Sequence, residues 1–396
     1  MWGNRRDWSL ICRLRQCQCL KRLEDQETVN IREGLIPSSK GRIHSGTVNR
    51  RFWHNADAFP SETFLFLKAA SIPTSSGLRT HRKTELVAFR VPQLVVKQSW
   101  QEGVGRFQAA LTATVGQEGV LFNQSYLSAH ADAGHTEFLE SACLSYNSIL
   151  AVYYLLLTSS RFASYRPEPL VEELLRVPIP EPQKGLLEGI RKPSDVDARV
   201  REAFGFKNAE WVLVEDLFNV TLPDFKGDAN SPGRLPTQRH EASIKEPELR
   251  DYCQYFCRVL KTGFTGNKTV STIIFQEKKP PRLPFRLVAF SIAATPAKPL
   301  EVEPLDSVAL LQELEHLNKT WLRTQTGTPG SLFFKRTARV YAHRGQEPTI
   351  YIIKPDARRY WTRSMGLHDA DEVAADFLSW QTAANAKSKA KGEKHG

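Results

Sequence analysis

The longest unbroken apolar run in the chain is Ile149-Leu150-Ala151-Val152-Tyr153-Tyr154-Leu155-Leu156-Leu157. More than two turns without a polar break predict a helix buried on every side. Glu137, Leu139, Cys143, Leu144 and Asn147 lead into the run, so the expected helix covers 137–158. It closes on Thr158-Ser159-Ser160-Arg161, with Tyr165-Arg166-Pro167 just beyond. A short acidic helix over 168–176 follows, carrying Glu168, Glu172 and Glu173. Pro178, Pro180 and Pro182 then end regular structure and impose an extended exit.

Upstream of this centre, Leu10, Ile11, Leu14 and Leu20 give a rough apolar face and predict a helix over 8–28. Ile31 to Leu35 predicts a strand that opens into a polar loop over 37–55. Strands are expected within 63–72 and 86–99, then at 107–114, 119–122 and 127–130, where β-branched and apolar residues alternate with Gly turns. Downstream, Leu186, Leu187, Ile190, Val196, Val200 and Phe204 recur with helical period across 183–206. A Pro/Gly-broken stretch at 224–247 has the composition of a linker. Beyond it the pattern predicts helix 246–262, strands 270–276 and 285–294, helix 305–317, strands 332–342 and 348–354, and helix 369–384. The expected class is α+β. A mixed, β-rich domain with a central buried helix spans 1–185, a helical connector 186–223 and the linker or exposed loop 224–247. A smaller α+β domain spans 248–384, and a disordered basic tail 385–396.

Charge sharpens this picture. The net charge is +11, and residues 1–100 hold 17 Lys and Arg against 8 Asp and Glu, so most of the excess lies in the first quarter. A basic first domain favours a polyanionic partner. Cys12, Cys17, Cys19, Cys143, Cys253 and Cys257 show no paired spacing suited to zinc and read as isolated thiols of a reducing compartment. The apolar run at Ile149–Leu157 is shorter than the roughly 20 residues a membrane span needs. The start, Met1-Trp2-Gly3-Asn4-Arg5-Arg6-Asp7-Trp8, lacks a signal-peptide layout, so the expectation is a cytoplasmic protein without membrane partners.

The loop over 37–55 combines basic and aromatic residues, a composition suited to phosphate contact and base-edge readout; a solvated loop has the same composition. Lys97, Gln98 and Ser99 are expected to emerge where a strand meets a loop. Arg161 stands where a cation complements a helix C-terminus, which stability alone also explains. Arg166 precedes Pro167 and is therefore biased to an extended conformation, which suits a phosphate or guanine contact better than a cap. The expected DNA contacts are Lys40, Arg42, Arg50, Arg51, Arg79, Arg82, Lys97, Gln98, Ser99, Arg161, Tyr165 and Arg166. The acidic pair Glu215-Asp216 reads as a helix-surface or capping pair, and Asp369-x-Asp371-Glu372 as a helix N-terminus where carboxylates meet the dipole favourably. His130-Ala131-Asp132-Ala133-Gly134-His135 suits a polar turn better than a metal site, and no Gly-x-Ser-x-Gly elbow occurs.

Four segments in order carry a resemblance: Trp2-Gly3-x-x-Arg6-Asp7, Pro92-Gln93-Leu94-Val95-Val96-Lys97-Gln98-Ser99, Asn147-Ser148 with Tyr153-Tyr154-Leu155, and Val177-Pro178-Ile179-Pro180. Over roughly 1–185 the chain resembles the carboxy-terminal half of large bacterial N-6 adenine DNA methyltransferases of restriction-modification and phage-defence systems. That half holds the TaqI-like specificity, or target-recognition, domain. Glu215-Asp216-Leu217-Phe218, Tyr252-x-x-Tyr255-Phe256 and Ile350 to Trp361 are similar to the tail segments of the same proteins. The resemblance implies double-stranded DNA as a partner and a separate methyltransferase subunit or domain that supplies S-adenosylmethionine. The chain departs from the family where catalysis would sit. It lacks an Asn-Pro-Pro-aromatic motif, and its one Pro-Pro, Pro280-Pro281, lies between Lys279 and Arg282. A Gly-rich strand-to-helix turn for the cofactor is also missing. The expectation is therefore a DNA-reading chain with no catalytic residues and no cofactor of its own. The alternatives are a self-contained nuclease or methyltransferase with degenerate motifs, or a general nucleic-acid-binding scaffold.

Overall fold

The structure, a computed structural model, describes residues 3–43, 50–53, 64–75, 77–82, 84–101, 103–113, 118–162, 168–226, 231–235, 247–263, 269–278, 283–293, 299–324 and 338–392. The fold is mixed α+β with several small sheets, and it divides into two compact units, Met1–Phe218 and Asn219–Gly396. The segment expected as a connector, 186–223, therefore belongs almost wholly to the first unit.

The first unit begins with α1 (Arg5–Leu14), β1 (Gln18–Cys19) and α2 (Leu20–Asp25). Asn4 caps α1 by accepting from the Arg6 and Asp7 backbone N–H groups, and Asp7 accepts in return from the Asn4 N–H at 2.7 Å. The single helix expected over 8–28 is interrupted because Gln18 and Cys19 leave it to pair with a distant strand. Arg22 closes the break by donating to the Arg15, Gln16 and Cys17 carbonyls, which the helix end would otherwise leave open. Next come β2 (Val29–Glu33), β3 (Pro37–Ile43), β4 (Arg50–Trp53), β5 (Leu65–Lys68), β6 (Thr74–Ser75), β7 (Arg79–Thr80), β8 (Gln93–Lys97), β9 (Ala109–Ala113), β10 (Leu121–Phe122) and β11 (Tyr126–Ala131). The loop expected over 37–55 thus contains two strands. The strand expected across 86–99 is a 3-10 turn at Val87–Phe89 followed by β8.

The main sheet has the order β2-β11-β8-β9-β5, antiparallel except for the parallel β5–β9 pair. A second sheet, β10-β4-β6, adds the aromatic core of Phe52, Trp53, Phe89, Phe122 and Tyr126. Gln93 stitches these layers from inside. Its amide donates to the Val120 carbonyl and Ser128 Oγ and accepts from the Val120 N–H, so both polar atoms of this buried side chain are satisfied.

The predicted helix over 137–158 is two helices, α3 (Thr136–Tyr146) and α4 (Ile149–Thr158), which meet at 76°. The break falls at Asn147-Ser148. The Asn147 side chain clamps the start of β9, donating to the Ala109 carbonyl at 2.7 Å and accepting from its N–H at 3.3 Å. Asp197 then accepts from the Ile149 N–H at 3.0 Å and holds Arg106 through two bonds of 2.7 and 2.6 Å. Ile149 to Leu156 are all buried, as the apolar run predicts. Among the described residues, no single helix is long and apolar enough to cross a membrane. The unit closes with α5 (Val171–Leu175), β12 (Pro178–Ile179), α6 (Pro193–Ala203) and α7 (Asn208–Asp216). Here β12 pairs antiparallel with β1, Gln18 opposite Ile179.

In the second unit α8 (Leu222–Phe225) and α9 (Pro247–Gly263) precede β13 (Thr269–Glu277), β14 (Phe285–Ala293), β15 (Leu300–Leu305), α10 (Ser307–Thr324), β16 (Ala338–Arg344), β17 (Glu347–Pro355) and α11 (Arg363–Gly392). The sheet order is β15-β13-β14-β17-β16. Period-two alternation sends Val288 and Phe290 of β14 into one core with α9 and α11, and Leu287 and Ala289 into the other with Leu310 and Leu317 of α10. Strand β15 has no counterpart in the sequence expectations. The basic tail expected from 385 is helical in α11 as far as Gly392. Because α11 starts at Arg363, Asp369, Asp371 and Glu372 lie inside the helix and not at its N-terminus. Asp369 is buried and forms an ion pair with Lys354, which is itself 1% exposed, and it accepts from Tyr252 Oη at 2.5 Å. Gly366 lets α11 approach α9, since a Cβ there would lie 2.4 Å from the Tyr252 carbonyl oxygen.

Candidate nucleic-acid interface

The structure sorts the expected DNA contacts by where their charges end up. Lys40, Arg42 and Arg79 come together on a two-stranded ribbon formed by β3 and β7. Arg42 sits opposite Thr80 and Ile43 opposite Arg79, so the two arginines occupy neighbouring rungs. The register shifts between Pro37 and Arg42, a bulge that takes in Lys40. Gly41 makes the bulge possible, because a Cβ at that position would lie 2.0 Å from the Thr80 carbonyl oxygen. Behind the rungs, His81 N–H donates to the Ile36 carbonyl, and Thr80 Oγ1 donates to the Arg82 carbonyl at 2.6 Å. All three basic side chains are exposed, and among the described residues none of the three has an ion pair. Arg82 continues the ribbon's charge and is also exposed.

A cleft of about 640 Å³ adjoins Arg82. Arg32, Arg82 and Lys21 line it together with Glu24, Glu33 and Glu172, over an apolar floor that includes Leu127 and Leu175. Among the described lining residues three cations face three carboxylates, in contrast to the ribbon.

Other expected contacts have structural work. Arg50 is buried, and its guanidinium donates to the Phe89 carbonyl at 2.8 Å and the Gly119 carbonyl at 3.2 Å. Burial works against its charge, and Glu118 at 3.7 Å partly offsets this. Arg51 donates to the Ala70 and Ile72 carbonyls and so anchors the turn after β5. Lys97 is 1% exposed with its ammonium 5.2 Å from the centre of the Tyr126 ring, a cation–π seat inside the unit. Gln98 is buried and donates to the Gln124 carbonyl; Ser99 is half-buried and accepts weakly from Gln101. These residues were expected at the surface because a polar cluster at a strand end has the same sequence signature whether its partners are water or carbonyls.

The tip of α4 is held by Glu173. Its carboxylate accepts from Ser159 Oγ at 2.7 Å, from the Ser160 N–H at 2.8 Å and from the Leu170 N–H at 3.0 Å. Partial burial raises the Glu173 carboxyl, but these hydrogen bonds outweigh it and leave the group below the ordinary glutamate range. Ser159 Oγ in turn caps the Arg161 and Phe162 N–H groups. Arg161 is half-buried beside this knot, while Tyr165 and Arg166 lie outside the described residues.

The remaining candidates also find partners. His130 lies near the end of β11 with Nδ1 2.9 Å from the Pro92 carbonyl oxygen. Among the described residues, no group of three or more His, Cys, Asp or Glu side chains could hold a metal ion. Sequence reasoning missed Arg106 and Asp197, which join segments 91 residues apart. Their one signal was an isolated Arg in a Gly-rich turn. It also missed that Asp7 of the first motif accepts from Tyr153 Oη at 2.9 Å, so Gly3-to-Asp7 and the Tyr153 segment are parts of one packing arrangement. No protein-family profile matches the chain, and no curated protein matches it in sequence.

Proposed function

We propose that the first unit reads double-stranded DNA. It would serve as the target-recognition portion of an N-6 adenine methyltransferase system whose catalytic groups and S-adenosylmethionine belong to a partner subunit or domain. The observation that carries this reading is the exposed ribbon, whose Lys40, Arg42 and Arg79 have no ion pair among the described residues. A two-stranded ribbon fits the DNA major groove, where arginine reads guanine edges and lysine neutralises phosphate. The ordered resemblance of the surrounding segments supports the narrower assignment to methyltransferase specificity.

The test is the triple variant Lys40→Ala/Arg42→Ala/Arg79→Ala in the full chain, measured by fluorescence anisotropy with a labelled duplex. All three side chains are exposed, so melting should be unchanged while affinity drops by roughly a hundredfold or more at low salt. Equal affinity for wild type and variant, with equal melting, would sink the proposal.

A further inference from the structure

One side of α9 is basic and faces a cleft in the second unit. Arg250, Gln254, Arg258 and Lys261 stand at helical spacings of four, four and three, which puts them on one face. The adjoining face, with Leu249, Tyr252, Phe256 and Leu260, is buried in the core. The cleft measures about 300 Å³ and is completed by Thr272 of β13 and Leu300 of the edge strand β15. Among the described residues, no carboxylate lines it. This departs from the habit of the rest of the unit, where Arg339 pairs with Glu372, Arg344 with Glu303, Arg358 with Glu248 and Arg359 with Asp224. Among the described residues, Arg250, Arg258 and Lys261 have no such partner. Arg258 lies over the Tyr255 ring at 4.6 Å, which orients its guanidinium without neutralising it. The Arg250 Nε–H is buried and, among the described residues, has no acceptor.

Three like charges around one concavity repel each other, and a buried donor without an acceptor costs stability. An oxyanion relieves both. Phosphate suits the set better than a carboxylate, because its charge approaches −2 and its oxygens accept the forked donors of two arginines while a lysine serves as a point charge. We propose that this cleft is a phosphate-binding site, with Arg250, Arg258 and Lys261 as its cations and Gln254 as a neutral donor. It stands independently of the DNA reading of the first unit. The phosphate could come from a nucleic-acid backbone or from a free phosphorylated molecule.

The experiment uses the full chain and sodium pyrophosphate as probe, by isothermal titration calorimetry. Wild type should bind, and Arg258→Ala/Lys261→Ala should bind at least roughly tenfold more weakly, since each lost charge-assisted contact is worth about that factor. Both side chains are exposed, so the fold should hold; Arg258→Gln, which keeps hydrogen bonding and removes charge, gives a second measurement if the double variant melts early. The ribbon variant Lys40→Ala/Arg42→Ala/Arg79→Ala should bind pyrophosphate like wild type, which separates this site from the first. A parallel titration with duplex DNA identifies the source. A drop in duplex affinity for Arg258→Ala/Lys261→Ala places backbone phosphate in the cleft, and unchanged duplex affinity with lost pyrophosphate binding makes the ligand a free phosphorylated molecule. No pyrophosphate binding by wild type, or equal binding by the charge variants, overturns the site.

Discussion

At the scale of single residues, polar side chains here mostly fasten one segment to another. Glu173 is the clearest case, since one carboxylate holds the end of α4, the turn after it and the start of α5. Its folded pKa lies below its unfolded value, so its contribution is present above the ordinary carboxylate range and is lost as pH falls through the folded pKa. Glu173→Gln should therefore lower stability at neutral pH by about 1 kcal/mol, a modest value because the carboxylate is partly solvated. The gap between wild type and variant should close as pH drops below the unfolded glutamate value, and denaturant melts at a series of pH values would show it. A gap that stays constant with pH would mean that shape and not charge holds the tip. Lys354 and Asp369 form the deeper counterpart. Burial lowers the Lys354 pKa and the Asp369 charge opposes that shift, so the ammonium depends on its partner. Asp369→Ala should cost about 3–5 kcal/mol by leaving that charge alone in the core. A double variant Lys354→Met/Asp369→Leu should recover much of the loss, as thermal melting would report.

At the scale of elements, the legible parts were those whose signal is local. The α4 run needed no context, because nine apolar residues in sequence have nowhere to go but inside. Likewise β8, β13, β14 and β17 declared themselves by β-branched runs. The two-residue strands β1, β7 and β12 left no pattern, since each exists only by virtue of a partner far along the chain. The bend between α3 and α4 was hidden for the same reason: the chain turns at Asn147-Ser148 because β9 offers partners to the Asn147 side chain and Asp197 accepts from the Ile149 N–H. Part of the candidate site was visible as basic composition over 37–55, but composition could not separate the exposed Lys40 and Arg42 from the buried Arg50. Gly41 gives this element its own test. In Gly41→Val the side chain would meet the Thr80 carbonyl, so β3 and β7 should part and DNA affinity should fall although no charge is removed. The ribbon lies outside the main sheets, so the melting temperature should move far less than in Leu156→Ala, where a core cavity costs about 2–5 kcal/mol. A Gly41→Val protein with wild-type affinity would show that the rungs are not needed for binding.

At the scale of the whole molecule, charge and chemistry are unevenly spread. Most of the excess positive charge sits in the first quarter of the sequence, and three of those cations are the ribbon residues, which have no ion pair among the described residues. If each meets one phosphate, the triple ribbon variant should flatten the log–log salt dependence of DNA binding by about 2.7, at roughly 0.9 per contact. The chain carries neither an Asn-Pro-Pro-aromatic motif nor a Gly-rich cofactor turn. Pure protein incubated with plasmid DNA and labelled S-adenosylmethionine should therefore transfer no methyl group, and incorporated label would refute this.

The pairing of Gln18-Cys19 with Pro178-Ile179 also sets a timetable. A ribosome delivers the first of these strands long before the second, and Asp7 waits nearly as long for Tyr153. Until those partners and α7, which packs on α1, have left the ribosome, α1 lacks part of its seat and its apolar face of Leu10, Ile11 and Leu14 is incompletely covered. Closure then joins distant segments of the first unit through late, long-range contacts. A chain arrested short of Pro178 should bind chaperones through this face, and one extended past Asp216, the end of α7, should release them.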